Sequence, residues 1–166
     1  APAYLTAPVA LAGPAWRRTE QPLWQTRLPM VVAVDLSSAS LATDVAPSRV
    51  AQMQARLRRL LQSSPEGPIG LVAFADDAFT VAPITDDAAN VALFVDALQP
   101  DVMPVDGQSP ARAIEWSREL IERAGYPRGR IVLVTDRADA APQQAAVEGH
   151  AGGHLVSTLG LGSSDG

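Results

Sequence analysis

The run Met30-Val31-Val32-Ala33-Val34-Asp35-Leu36-Ser37-Ser38-Ala39-Ser40 constrains this chain more than any other feature. Five consecutive apolar residues, without the alternation of a half-exposed strand, fit a strand buried on both faces, as in a parallel sheet covered by helices. The strand then runs straight into an aspartate and a cluster of hydroxyls. Ligands of open α/β sheets are held beyond the carboxyl ends of the strands, and carboxylate and hydroxyl oxygens there suit a hard divalent cation.

The rest of the chain alternates in the same way. Pro47 and Ser48 signal a helix start, and Val50, Met53, Leu57, Leu60 and Leu61 recur at three and four, with Arg56, Arg58 and Arg59 on the water side. Ile69 to Ala75 reads as a second strand, and Asp76-Asp77 turns the chain into Phe79 to Ala82, an antiparallel edge strand. Asp86 or Asp87 caps a helix expected to reach Leu98. After the loop Gln99 to Ser109, Pro110 opens a helix to Ala124 that Gly125 ends. Arg130 to Thr135 forms a strand ending in Asp136, a helix is expected from Pro142, and His154 to Leu159 supplies one more strand. The order implies a doubly wound, mostly parallel α/β sheet with one antiparallel edge strand.

Composition removes several functions. With 166 residues the chain fits one domain, long enough to bury about 70% of its unfolded surface without disulfides or a structural metal. It has no cysteine, so thiol nucleophiles and zinc–thiolate clusters are excluded. All 13 basic residues are arginine. Phosphate-binding loops, Schiff-base chemistry and phospho-acceptor receivers each need a lysine that is not there. The net charge of −5 is spread along the chain and no basic run exceeds a pair, which argues against a nucleic-acid partner. The apolar stretch Tyr4 to Pro14, followed by Trp16, Arg17, Arg18 and Trp24, has the composition of the end of a membrane span, although no segment reaches the roughly 20 apolar residues that a span needs. A loose arm packed on the domain has the same composition.

Three loops bring oxygen donors to the carboxyl edge: Asp35 to Ser40, Asp106 to Ser109, and Asp136. In this the chain resembles a von Willebrand factor A domain with its metal-ion-dependent adhesion site, and the resemblance runs from the first strand to the last. Leu11-Ala12-Gly13-Pro14, Asp35-Leu36-Ser37, Leu41-Ala42-Thr43-Asp44-Val45 with Pro47-Ser48-Arg49, Gly70-Leu71-Val72-Ala73-Phe74 and Met103-Pro104-Val105 resemble the Bat (aerotolerance) family, its B-type member above all. The resemblance implies a non-catalytic protein-interaction module anchored at a bacterial inner membrane, with related membrane-anchored domains among its partners; it points to the periplasmic side, whereas Arg17-Arg18 beside the apolar stretch points to the cytoplasmic side by the positive-inside rule. It further implies a juxtamembrane arm over residues 1–28 and the domain over 29–166. The sheet of such domains usually carries one more strand and a final helix than are legible here.

Against the family motif Asp-x-Ser-x-Ser, Asp35 and Ser37 match, but the last serine position holds Ala39, which has no oxygen. Ser40 follows, in a register that points its side chain elsewhere. The threonine of the second loop is missing, which leaves Gln108 or Ser109 in its place, Ser109 also being placed to cap the helix. Asp136 matches the third-loop acid, and the glycine that usually follows is Arg137. Two readings stand: a weak Mg²⁺ or Mn²⁺ site built from Asp35, Ser37, Ser40, Ser109 and Asp136, or a degenerate one whose acids pair with arginine, Arg137 and Gln108 then contacting the partner. A purely structural assembly domain, docking through the flank around Phe79, is a third.

Other motifs have simpler accounts. His150 and His154 have metal-ligand spacing, but Gly152-Gly153 breaks any helix between them and no third ligand is evident. Asp76-Asp77 and Asp86-Asp87 sit where turns and caps favour aspartate. A phosphohydrolase using Asp35 as nucleophile would resemble the haloacid dehalogenases, which place a second aspartate where this chain has Ser37 and use a later lysine. Trp116 reads as partly buried core, whereas Trp16 and Trp24 suit membrane or partner contact.

Overall fold

A computed structural model describes residues 27–42, 46–63, 66–136 and 152–161. Strand β1 (Met30–Asp35) is buried from its second residue onward, as a central parallel strand requires. Helix α1 (Arg49–Gln62) starts where the sequence signals it: the Ser48 hydroxyl accepts from the Ala51 N–H at 3.2 Å, a cap that contributes about 1 kcal/mol. Val50, Met53, Leu57 and Leu61 are its buried stripe. Strand β2 (Ile69–Phe74) follows, fully buried, and turns through Asp76-Asp77 into β3 (Ala78–Thr85), its antiparallel neighbour. Pro83 is tolerated because β3 is an edge.

Helix α2 (Ala88–Ala92), capped by Asp87 accepting from the Asn90 N–H at 3.0 Å, is shorter than expected. A continuous helix to Leu98 does not form; two 3₁₀ turns, Val95–Ala97 and Pro100–Val102, carry the chain onward. Pro100 holds Gln99 in an extended conformation, which excludes it from a helix. The spacing of Val91, Val95 and Leu98 still delivers all three to the core. Helix α3 (Pro110–Arg123) begins at the proline, and Gly125, with φ of 87°, follows its end. Strands β4 (Arg130–Thr135) and β5 (Leu155–Gly160) complete five strands among the described residues. The helix expected at Pro142 lies outside them, as do residues 1–26 of the arm.

The sheet order β3-β2-β1-β4-β5 places β1 between β2 and β4, all three parallel. Val32 and Val34 point to the layer of α1 and α2, together with Leu71, Ala73 and Val134. Val31 and Ala33 point the other way, to α3, with Val72, Phe74, Ile131 and Leu133. This period of two settles which side each strand-end group serves. Arg56 does not simply face water as expected: its guanidinium donates to the Gly160 carbonyl at the end of β5.

Candidate functional site

The chain leaves β1 toward β2 on one side and returns as β4 on the other, so the carboxyl ends of β1 and β4 flank the switch point of the sheet. Asp35 and Asp136 both stand there. Asp35 continues the α3-side parity of Val31 and Ala33 and is 1% exposed. The β1–β4 register pairs Val34 with Val134, so Thr135 comes beside Asp35 on the same face. Its hydroxyl donates to Asp35 Oδ2 at 2.9 Å.

Two further donors complete the Asp35 carboxylate. The Ser37 N–H reaches Oδ1 at 2.9 Å, closing the turn after β1. The Gln108 amide, two residues before α3, donates from Nε2 to Asp35 Oδ2 at 2.7 Å and to Asp136 Oδ1 at 3.2 Å. One nitrogen thus bridges the carboxylates of two strands. From the opposite layer, Arg49 at the start of α1 donates to Asp136 Oδ2 at 2.6 Å, with the Asp136 side chain only 4% exposed.

Loop contacts hold this arrangement. Asp106 Oδ1 accepts from the Ser38 N–H at 2.8 Å and the Gly107 N–H at 2.9 Å, joining the first and second loops. Hydrogen bonds from the Ser38 side chain and backbone hold the Asp106 carboxyl below its ordinary value. Gly107 lies against the turn after β2, where an added Cβ would come within 2.7 Å of Asp76 Cβ. The Ser109 N–H donates to the Ala75 carbonyl at 2.8 Å.

The residues singled out by sequence divide into two groups. Asp35, Asp136 and Gln108 are brought together through their side chains, and Ser37 joins them through its backbone, its buried hydroxyl having no hydrogen-bond partner among the described residues. Ser40 turns its hydroxyl back to the Ser37 carbonyl at 2.7 Å. Ser109 stands at the N-cap position of α3 without a side-chain capping bond. Arg137 and His150 lie outside the described residues; the observed counter-charge of Asp136 is Arg49, 87 residues away. His154 is buried just before β5, and burial pushes its pKa below the ordinary histidine value. Trp116 is half-buried and donates to Thr80 Oγ1 at 2.9 Å.

Sequence reasoning missed Arg49 and Thr135. The hydroxyl at the end of β4 was a signal, since a parallel register aligns it with the acid ending β1; the Arg49 contact left no signal in spacing.

As arranged, the donor set does not fit a divalent cation. All four carboxylate oxygens of Asp35 and Asp136 already accept hydrogen bonds from protein N–H or O–H groups. Ala39 adds no oxygen, and Gln108 turns a nitrogen inward. Among the described residues no group of three or more His, Cys, Asp or Glu side chains is placed to hold a metal.

Comparison with known proteins gives a consistent picture. The family model described as von Willebrand factor type A domain matches residues 30–138. The crystal structure of an aerotolerance-related membrane protein from Bacteroides fragilis is 30% identical with a TM-score of 0.72, over 84% of this chain and 70% of that one. BatB from Bacteroides thetaiotaomicron is 29% identical with a TM-score of 0.69, over 80% of this chain and 66% of that one. A mussel byssus protein, proximal thread matrix protein 1, whose adhesion motif is occupied by zinc, shares the fold at 19% identity and a TM-score of 0.62, over 81% of this chain and 38% of that one. A curated relative, a UPF0353 protein of Mycolicibacterium paratuberculosis, is 28% identical over 93% of this chain. The chain spans about half of that relative's length, 49%.

Proposed function

Because the chain belongs to the von Willebrand factor type A domain family, we propose that it is a non-catalytic protein-interaction module, held at a bacterial inner membrane, whose adhesion site works without a metal. Partners dock on the carboxyl edge of the sheet, where the loops after β1 and β4 and before α3 converge. The observation that carries this reading is the saturation of Asp35 and Asp136 by protein donors, with Gln108 Nε2 between them. Related membrane-anchored domains are the partners we propose, with docking groups that contact Gln108 and Arg137 in place of a metal-bridged carboxylate. The likeness to an aerotolerance-related membrane protein supports a membrane setting, and the periplasmic side is part of the proposal. Among the described residues, no helix is long and apolar enough to cross a membrane.

The same geometry argues against a nucleophilic Asp35, since three protein donors already engage both oxygens of its carboxylate. The test is calorimetric titration of Mg²⁺ and Mn²⁺ into the chain, with Asp35→Ala as control. No saturable heat is expected with either metal. Micromolar to millimolar binding that is lost in Asp35→Ala would overturn the metal-free reading, and phosphoester hydrolysis lost in the same variant would overturn the non-catalytic one.

A further inference from the structure

We infer that Gln108 and Arg49 are a built-in substitute for the cation, holding the Asp35–Asp136 pair closed to divalent metals; this rests on the metal-free reading above. Two carboxylates brought to one switch point repel each other unless positive charge or donors lie between them. Here the bridging group is a primary amide, whose two N–H donors are enough for one carboxylate each, at 2.7 and 3.2 Å. The partners determine which way the amide turns. With Oε1 inward, three acceptors would face one another and no hydrogen would lie between them. Arg49 supplies the formal positive charge, on Asp136, and Thr135 and the Ser37 N–H stabilise the negative charge on Asp35.

The arrangement differs from a cation site that has merely lost a ligand. Loss of the last motif serine leaves a weaker oxygen shell; a nitrogen donor between the two acids also occupies the carboxylate oxygens that the shell would use. For Mg²⁺ to enter, with its near-ideal octahedron of oxygens, the Gln108 amide must swing out and break both of its charge-assisted hydrogen bonds. The cation must also contend with the Arg49 guanidinium. What remains of the oxygen shell is Asp35 and the buried, unpartnered Ser37 hydroxyl. Arg49 arrives from the α1 layer and Gln108 from the α3 side, so two independent segments hold the lock.

The inference predicts that the cation site can be rebuilt, and that adding the missing serine alone does not rebuild it. Ala39 is exposed, so Ala39→Ser adds a hydroxyl without overpacking. In the full chain, wild type and Ala39→Ser are expected to show no saturable Mg²⁺ or Mn²⁺ binding by calorimetry. Ala39→Ser/Gln108→Thr/Arg49→Gln is expected to bind at least about tenfold more tightly than Ala39→Ser. Gln108→Leu, close in volume but without donors, serves as a second readout: its melting temperature should fall below wild type and be raised by Mn²⁺, while that of wild type is unmoved.

Equal binding by Ala39→Ser and the triple variant would overturn the lock, as would a triple variant that is folded by circular dichroism yet blind to both metals. If the triple variant does not fold, Gln108→Leu decides, and melting identical to wild type with and without Mn²⁺ overturns the inference. Saturable binding by wild type overturns the proposed function and this inference together, which separates that failure from the others.

Discussion

Removing the Arg49 guanidinium tests the charge balance of the site most directly. In Arg49→Met the stem stays near its place and the charge goes. The Asp136 side chain, 4% exposed, then has the Gln108 amide as its hydrogen-bond donor among the described residues. Breaking a fully buried pair by removing one partner costs about 3–5 kcal/mol, whereas a surface pair such as Arg123–Glu119, with side chains 69% and 36% exposed, contributes less than about 1 kcal/mol. Arg49 is 24% exposed, so water reaches its end of the pair and the expected cost falls to about 2 kcal/mol. For a domain of this size that corresponds to a drop of about 4–8 °C in Tm. Urea unfolding followed by far-UV circular dichroism, at constant salt, measures it. Asp136→Asn and the double variant close the cycle, and the double variant should be more stable than the sum of the single losses implies. A loss below about 0.5 kcal/mol in Arg49→Met would refute the claim that Asp136 depends on this arginine.

Gly107→Ala drives a Cβ to 2.7 Å from Asp76 Cβ and 2.9 Å from Asp76 Cα. Because backbone cannot yield there, the loop carrying Gln108 shifts at a cost of about 1–3 kcal/mol; unchanged urea stability would show that the two loops are not packed as described. His154 is buried, which lowers its pKa, and Arg118 acts in the same direction while Glu122 opposes. The unfolded chain therefore takes up the proton first, and stability should decline as pH falls below the ordinary histidine value of 6.5. A pH series of melting curves in which His154→Gln declines as steeply as wild type would sink that assignment.

The strands and most helices were legible because their signals are local. The unbroken apolar runs of β1 and β2, the proline opening α3 and the aspartates turning β2 into β3 each act within a few residues. Asp35 and Asp136 were legible for a related reason, as acids that end strands of a parallel sheet stand on one edge. The long helix expected after Asp87 was a misreading of a stripe, Val91, Val95 and Leu98, that the short helix α2 and the 3₁₀ turn Val95–Ala97 with its following residue present equally well.

The sequence by itself determined that this chain forms a helix-covered parallel sheet, that its acids and hydroxyls meet at the carboxyl edge, and that Ala39 leaves the oxygen set short. Only the tertiary structure decided what takes up the vacant chemistry. Arg49 lies 87 residues from Asp136, Gln108 lies 73 from Asp35, and Thr135 lies 100 from Asp35. Such contacts depend on strand order, register and the layer from which each helix approaches. A chain that presents two acids can hold a cation or hold its own donors between them, and the packing of α1 and α3 on opposite faces of the sheet selects the donors.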